Sequence, residues 1–172
     1  FDFMLRAVSN SKAKGSPVPL KIYLMSDRED LQATMGLGGS GGVAGYYSAS
    51  SRGPIAVGTR SQVDRKAPGY TRASGGITTD ISGESVLLHE YAHHFMFQHF
   101  PAAYPAWYSE GFAEYYGSTR LLDNDVIEIG HLASHRYQSF AANEWLPLEK
   151  VLTATSYAVV GDNLHLLYAE GW

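Results

Sequence analysis

The chain has 172 residues, 45% of them hydrophobic and 17% charged, with a formal net charge of −4. A chain of that length is expected to form one domain, residues 1–172, with a sizeable core, and no basic excess points to nucleic acid or an anionic membrane. It has no cysteine, so disulfides and thiolate metal sites are excluded, and no apolar run approaches the ~18 residues that span a bilayer.

Phe1 to Arg6 reads as the tail of an amphipathic helix, and Ser9 to Pro17 as a polar connection. With no initial methionine, and with a helical pattern at Leu164 to Trp172 that stops midway, the sequence reads as a stretch cut at both ends from a longer one. Pro19 to Met25 alternates and is rich in β-prone residues, predicting a strand. Ser26 with Glu29 has capping-box spacing, so a short helix is expected over Asp27 to Met35.

Six glycines lie between Gly36 and Gly45. A phosphate cradle would need a lysine and a following helix; instead a strand pattern follows, so a flexible loop beside a sheet is the expected form. Tyr46 to Ser48 and Ile55 to Gly58 predict two strands with a hairpin-like connection over Ala49 to Pro54. Thr59 to Gly76 reads as a polar, basic loop. Its Arg60, Arg65, Lys66 and Arg72 suit either a solvated face or the steering of an acidic substrate.

A helix is predicted from about Gly83 to His99, capped by Ser82 and stopped by Pro101. It carries His89, Glu90 and His93 in the pattern H-E-x-x-H. Residues four apart on a helix lie one turn above each other, so both imidazoles can reach one metal ion. Glu90 sits about 100° further round, placed to act on a water rather than to ligate. Zinc held this way lowers the pKa of bound water to roughly 7 and polarises a carbonyl. The competing reading is a buried helix with satisfied core histidines. Its apolar flanks, Leu87, Leu88, Ala92, Phe95, Met96 and Phe97, make unpaired polar groups costly there, which favours a metal.

Pro105 is expected in the first turn of the next helix, which carries Glu110 and Glu114 one turn apart. Here Trp107 to Tyr115, W-Y-S-E-G-F-A-E-Y, resembles the W-L-N-E-G-F-A-E-Y block of gluzincin aminopeptidases. The stretch from Leu87 to Gly117 resembles bacterial peptidase MA-like domains, relatives of the thermolysin-type gluzincins. The resemblance implies that Glu110 is the third ligand of a single zinc ion. Sixteen residues separate it from His93, slightly fewer than in the aminopeptidases. Glu114 would then orient a ligand histidine through its free N–H, or else face solvent. His94 and His99 fall off the His89/His93 face and are read as non-ligands.

Val126 to Ile129 predicts a strand after the Asp123-Asn124-Asp125 turn, and Pro147 starts a short helix over Leu148 to Ala154. His131 and His135 are a second four-residue pair, but no carboxylate stands between them and no third ligand is evident. In the last helix, Tyr168 in Y-A-E-G resembles the tyrosine of the aminopeptidase Y-x-K-G block, with Glu170 in place of the lysine. That tyrosine's implied role is donation to an oxyanion; the other reading is a core tyrosine on a helix face.

The expected fold is α+β: a sheet-rich half in residues 1–80, which would offer a substrate an edge strand, and a helical half in 81–172. By resemblance this is a zincin-like (gluzincin) catalytic domain. One of the two hairpin strands, or Gly75 to Thr79, would be the edge that binds extended peptide. The implied activity is zinc-dependent cleavage of a peptide or protein. No G-A-M-E-N-type block is present, which favours an endopeptidase over an aminopeptidase. An inactive module binding peptide or cell-wall material is the rival from another class. The resemblance further implies an exported protein.

Overall fold

The computed structural model of the protein describes residues 18–36, 44–60, 83–123, 126–142 and 145–172. Several expectations lie outside these residues: the Phe1 to Arg6 helix tail, the Ser9 to Pro17 connection, most of the glycine-rich stretch, the basic loop beyond Arg60, the Gly75 to Thr79 strand, the Ser82 cap, and Asn124 and Asp125 of the turn.

The described residues form a mixed α+β arrangement. A three-stranded sheet contains β1 (Lys21–Met25), β2 (Gly45–Ser50) and β3 (Gly53–Thr59) in the order β1-β3-β2. β1 runs parallel to β3, with Tyr23 opposite Val57. β2 runs antiparallel to it, with Tyr47 opposite Ala56. A parallel pair needs a crossover, and part of it is α1 (Arg28–Met35), whose Leu31 is fully buried. Asp27, not Ser26, caps α1, its Oδ1 accepting from the Asp30 N–H at 3.0 Å. The hairpin is tighter than the spacing predicts. Pairing continues to Ser50 and Gly53, because Gly53 adopts φ 106° and the Ser50 hydroxyl bonds across the turn.

The long helix α2 (Gly83–His99) follows its predicted bounds closely, and its neighbour α3 (Ala106–Gly117) carries Glu110 and Glu114 as expected. Pro105 sits at the N-cap of α3 rather than inside its first turn. α2 packs against both α3 and the β2–β3 hairpin. Its approach to β2 is close: a Cβ on Gly45 would lie 2.5 Å from Val86 Cγ1 and 2.7 Å from the Val57 carbonyl oxygen. β2 is therefore a sheet edge held directly against the helix that carries the H-E-x-x-H pattern.

Beyond α3, β4 (Arg120–Leu121) pairs antiparallel with β5 (Ile127–Glu128), and α4 (Ser134–Ala142), α5 (Leu148–Thr153) and α6 (Leu164–Gly171) follow. Single 3-10 turns at Tyr157–Val159 and Gly161–Asn163 link α5 to α6. Ala106, Leu146, Val151, Ala154, Val160, Leu166 and Leu167 form the core beneath these helices. Among the described residues no helix is long and apolar enough to cross a membrane.

Candidate metal centre

α2 places His89 and His93 one turn apart, and α3 brings Glu110 to meet them. The two Nε2 atoms are 3.2 Å apart. Glu110 Oε2 lies 3.3 Å from His89 Nε2 and 3.5 Å from His93 Nε2. The three donor atoms thus form a nearly equilateral triangle. A tetrahedral zinc ion with ligand bonds of about 2.0–2.1 Å sets its donor atoms about 3.3–3.4 Å apart. Glu110 Oε2 is buried at ion-pair distance from both rings yet makes no hydrogen bond. A buried carboxylate oxygen without such a partner is costly, and a cation within the triangle would satisfy it. The donor set therefore fits a zinc ion. Among the described residues no other trio of histidine and acidic side chains converges in this way.

The remaining ring nitrogens are also held. His89 Nδ1 is 3.2 Å from Glu114 Oε1, and His93 Nδ1 is 3.3 Å from Ser109 Oγ. With each Nδ1–H donated outward, each Nε2 keeps its lone pair for a metal. Glu114 is buried and does not face solvent. Arg136 on α4 grips it with two hydrogen bonds, at 2.8 Å and 2.5 Å.

Electrostatics follow this geometry. Burial works against a charge on His89, but the adjacent carboxylates of Glu110 and Glu114, with the field of Glu90, outweigh it and push its pKa up to about 10. Burial likewise opposes ionisation of Glu110. Its two histidine neighbours nonetheless hold it well below the usual carboxylate range. For Glu114, burial is outweighed by hydrogen bonds from Arg136 and His89, which bring it to about 2.

Glu90 is buried at the start of β2, where a Cβ on Gly45 would come within 3.2 Å of its Oε1. Burial raises its pKa; His89 and His93 pull against that, and Glu110 and Glu114 add to it. Tyr168 stacks on the His89 ring at 6.0 Å and 24°. Burial and the nearby Glu110 push its phenol above the ordinary range. Tyr157 donates its hydroxyl to Glu110 Oε1 at 2.5 Å. All these groups line one cleft of about 800 Å³. Met35, Tyr46, Tyr47 and Phe97 add apolar and aromatic surface to it, and His135, Arg136 and His165 add polar surface.

The other histidines stand apart from the triangle. His94 is buried, and its Nδ1 meets the Tyr47 hydroxyl at 3.3 Å. His131 precedes α4, so the His131/His135 spacing is not a helical turn. His135 Nε2 is 3.9 Å from Glu114 Oε2, and burial, helped by Arg136, lowers its pKa to about 4.

Compared with known family models, curated proteins and solved structures, the chain matches none.

Sequence reasoning missed Ser109, Arg136 and Tyr157. Ser109 carried a signal, since it adjoins Glu110 on the helix facing His93. Arg136 and Tyr157 lie 22 and 47 positions from their partners, in stretches whose pattern does not mark them.

Proposed function

We propose that the protein is a zinc-dependent metallopeptidase with a zincin-like, gluzincin-type catalytic domain, acting on peptides or proteins as an endopeptidase. The observation that carries this reading is the convergence of His89 Nε2, His93 Nε2 and Glu110 Oε2 at 3.2–3.5 Å, in a cleft that also holds Glu90. Two histidines and a glutamate are the donor set of catalytic zinc sites with one open position.

His89, His93 and Glu110 would hold the ion. When bound, zinc supplies Lewis-acid polarisation of the scissile carbonyl and makes a water more acidic. Glu90 is the general base: it takes a proton from the attacking water and returns it to the leaving amine. Its raised pKa brings it closer to the neutral range in which a carboxylate can both accept and donate. Tyr168 lines the same cleft, and its raised pKa keeps its phenol protonated as a donor toward developing negative charge, whereas the Tyr157 hydroxyl is given to Glu110 Oε1. β2 is an edge strand among the described residues, and its Gly45, Tyr46 and Tyr47 line the cleft, which suits main-chain pairing with an extended peptide. The endopeptidase reading rests on the missing amine-gripping block in the sequence.

The test is zinc content and peptide cleavage of the purified protein, with and without chelator, beside Glu90→Gln. The expected result is about one zinc per chain in both forms, with cleavage abolished by chelator and by the substitution. N-acetylated peptides should be cut as well as their free-amine twins; strict need for a free amine would make it an aminopeptidase. Full zinc occupancy without cleavage of any peptide would point to a binding module.

A further inference from the structure

Arg136 stands in the first turn of α4, with its Nε–H donating to Glu114 Oε2 at 2.8 Å and its Nη2–H to Oε1 at 2.5 Å. That Oε1 is the oxygen 3.2 Å from His89 Nδ1. The same guanidinium lies 4.9 Å from the centroid of the Tyr168 ring, and that ring stacks on His89. One cation thus reaches His89 by two routes: at the ring edge through Glu114, and at the ring face through Tyr168.

We propose that Arg136 is a positioning residue for the metal centre, fixing Glu114 and Tyr168 together so that His89 keeps the tautomer and ring rotation that aim Nε2 at the zinc position. This rests on the zinc reading above. The planar fork is what the task needs. It spans both carboxylate oxygens through two fixed donors while its carbon lies over an aromatic ring, a combination that the single point charge of a lysine ammonium does not match. With its Nε and Nη2 donors committed to Glu114, Arg136 is not a free cation awaiting an acidic substrate. Its action on His89 runs through these two neighbours. A ligand histidine loses affinity for its metal when the group orienting its other nitrogen is removed, typically by 10–100-fold.

The experiment is a zinc competition titration against a chromogenic chelator, with the absorption spectrum of the cobalt-loaded protein. The forms are wild type, Arg136→Gln, Arg136→Lys, Glu114→Gln and the double variant Arg136→Gln/Glu114→Gln, each also melted without metal. Arg136→Gln should weaken zinc by about 10–100-fold and alter the cobalt spectrum, and Arg136→Lys should recover only part of the loss. The double variant should lose much less than the product of the single losses, because the two residues act on one ring. Wild-type affinity and spectrum in Arg136→Gln, with only a lower melting temperature, would make the arginine a structural tie. That would overturn the inference and leave the peptidase reading standing. Losses that multiply in the double variant would overturn it too. Should Arg136→Gln fail to fold, Arg136→Lys carries the same comparison: a zinc affinity and spectrum equal to wild type would overturn the inference. Wild-type protein that takes up no zinc would remove the reading and the inference together.

Discussion

Tyr157 donates to Glu110 Oε1, while the other carboxylate oxygen of Glu110 faces His89 and His93. The phenol therefore separates the work of the two oxygens. Oε1 is occupied, and Oε2 is left as a single donor atom. A carboxylate held this way would ligate through one oxygen and leave a coordination position open. Tyr157→Phe should weaken zinc binding about tenfold, as loss of an orienting partner does. Tyr168→Phe keeps the ring against His89 and removes only a hydroxyl. If that hydroxyl meets the oxyanion, kcat falls about 100-fold or more with zinc affinity little changed. Zinc affinity and kcat measured on both variants check this; equal kcat in Tyr168→Phe and wild type would remove Tyr168 from the chemistry.

The two histidines of the candidate metal centre are oriented by unlike partners. His89 Nδ1 meets an ionised carboxylate and His93 Nδ1 a neutral hydroxyl. Hydrogen bonds to a charged acceptor are roughly twice as strong as neutral ones. Ser109→Ala should therefore cost less zinc affinity than Glu114→Gln, a fewfold loss against tenfold or more. A chelator competition series on the two variants gives the order; the reverse order would contradict it.

Zinc uptake should release a proton. In the metal-free protein His89 has its pKa raised to about 10, so at pH 8 its imidazole is charged and must lose a proton to ligate. Apparent zinc affinity should rise about tenfold per pH unit up to about pH 10, and calorimetry in buffers of different ionisation enthalpy should report about one proton released. The sign for the metal-free fold is opposite. Because the folded-state pKa is raised, the stabilisation from His89 is fully present below about 6.5 and is lost as pH rises through about 10. Zinc affinity flat from pH 7 to 9 would show that His89 is not the group displaced.

Gly111 and Gly171 let α3 and α6 touch backbone to backbone. A Cβ on Gly111 would fall 2.1 Å from the Gly171 carbonyl oxygen, and one on Gly171 would fall 2.6 Å from that of Trp107. This contact sets Tyr168 beside Glu110. Alanine is favoured over glycine within a helix by about 1 kcal/mol, but overpacking against a backbone that cannot turn aside costs about 3 kcal/mol. Gly111→Ala should thus lose roughly 2 kcal/mol net and melt about 4–8 °C lower. A melting temperature equal to or above that of wild type would contradict the close packing.

The parts legible in the sequence are those written in local pattern. The H-E-x-x-H spacing, the apolar flanks and the bracketing prolines foretell α2 almost to the residue and the start of α3 within a residue or so. Alternation foretells the hairpin, while its turn length depended on Gly53 taking a positive φ, which spacing alone does not reveal. Ser26 and Asp27 are both competent caps, and only the backbone decides between them. β4 escaped notice because two exposed residues carry no periodicity. Arg136 and Tyr157 were illegible for a different reason: their partners are brought to them by the packing of α4 and the 3-10 turn, not by sequence neighbours.

One zinc ion is expected among His89, His93 and Glu110. A crystal of the zinc-loaded protein measured on both sides of the zinc absorption edge tests it directly. The expected result is a single anomalous peak per chain, about 2.0–2.2 Å from His89 Nε2, His93 Nε2 and a Glu110 oxygen. A peak held by other side chains, or Glu110 turned away from the ion, would contradict it.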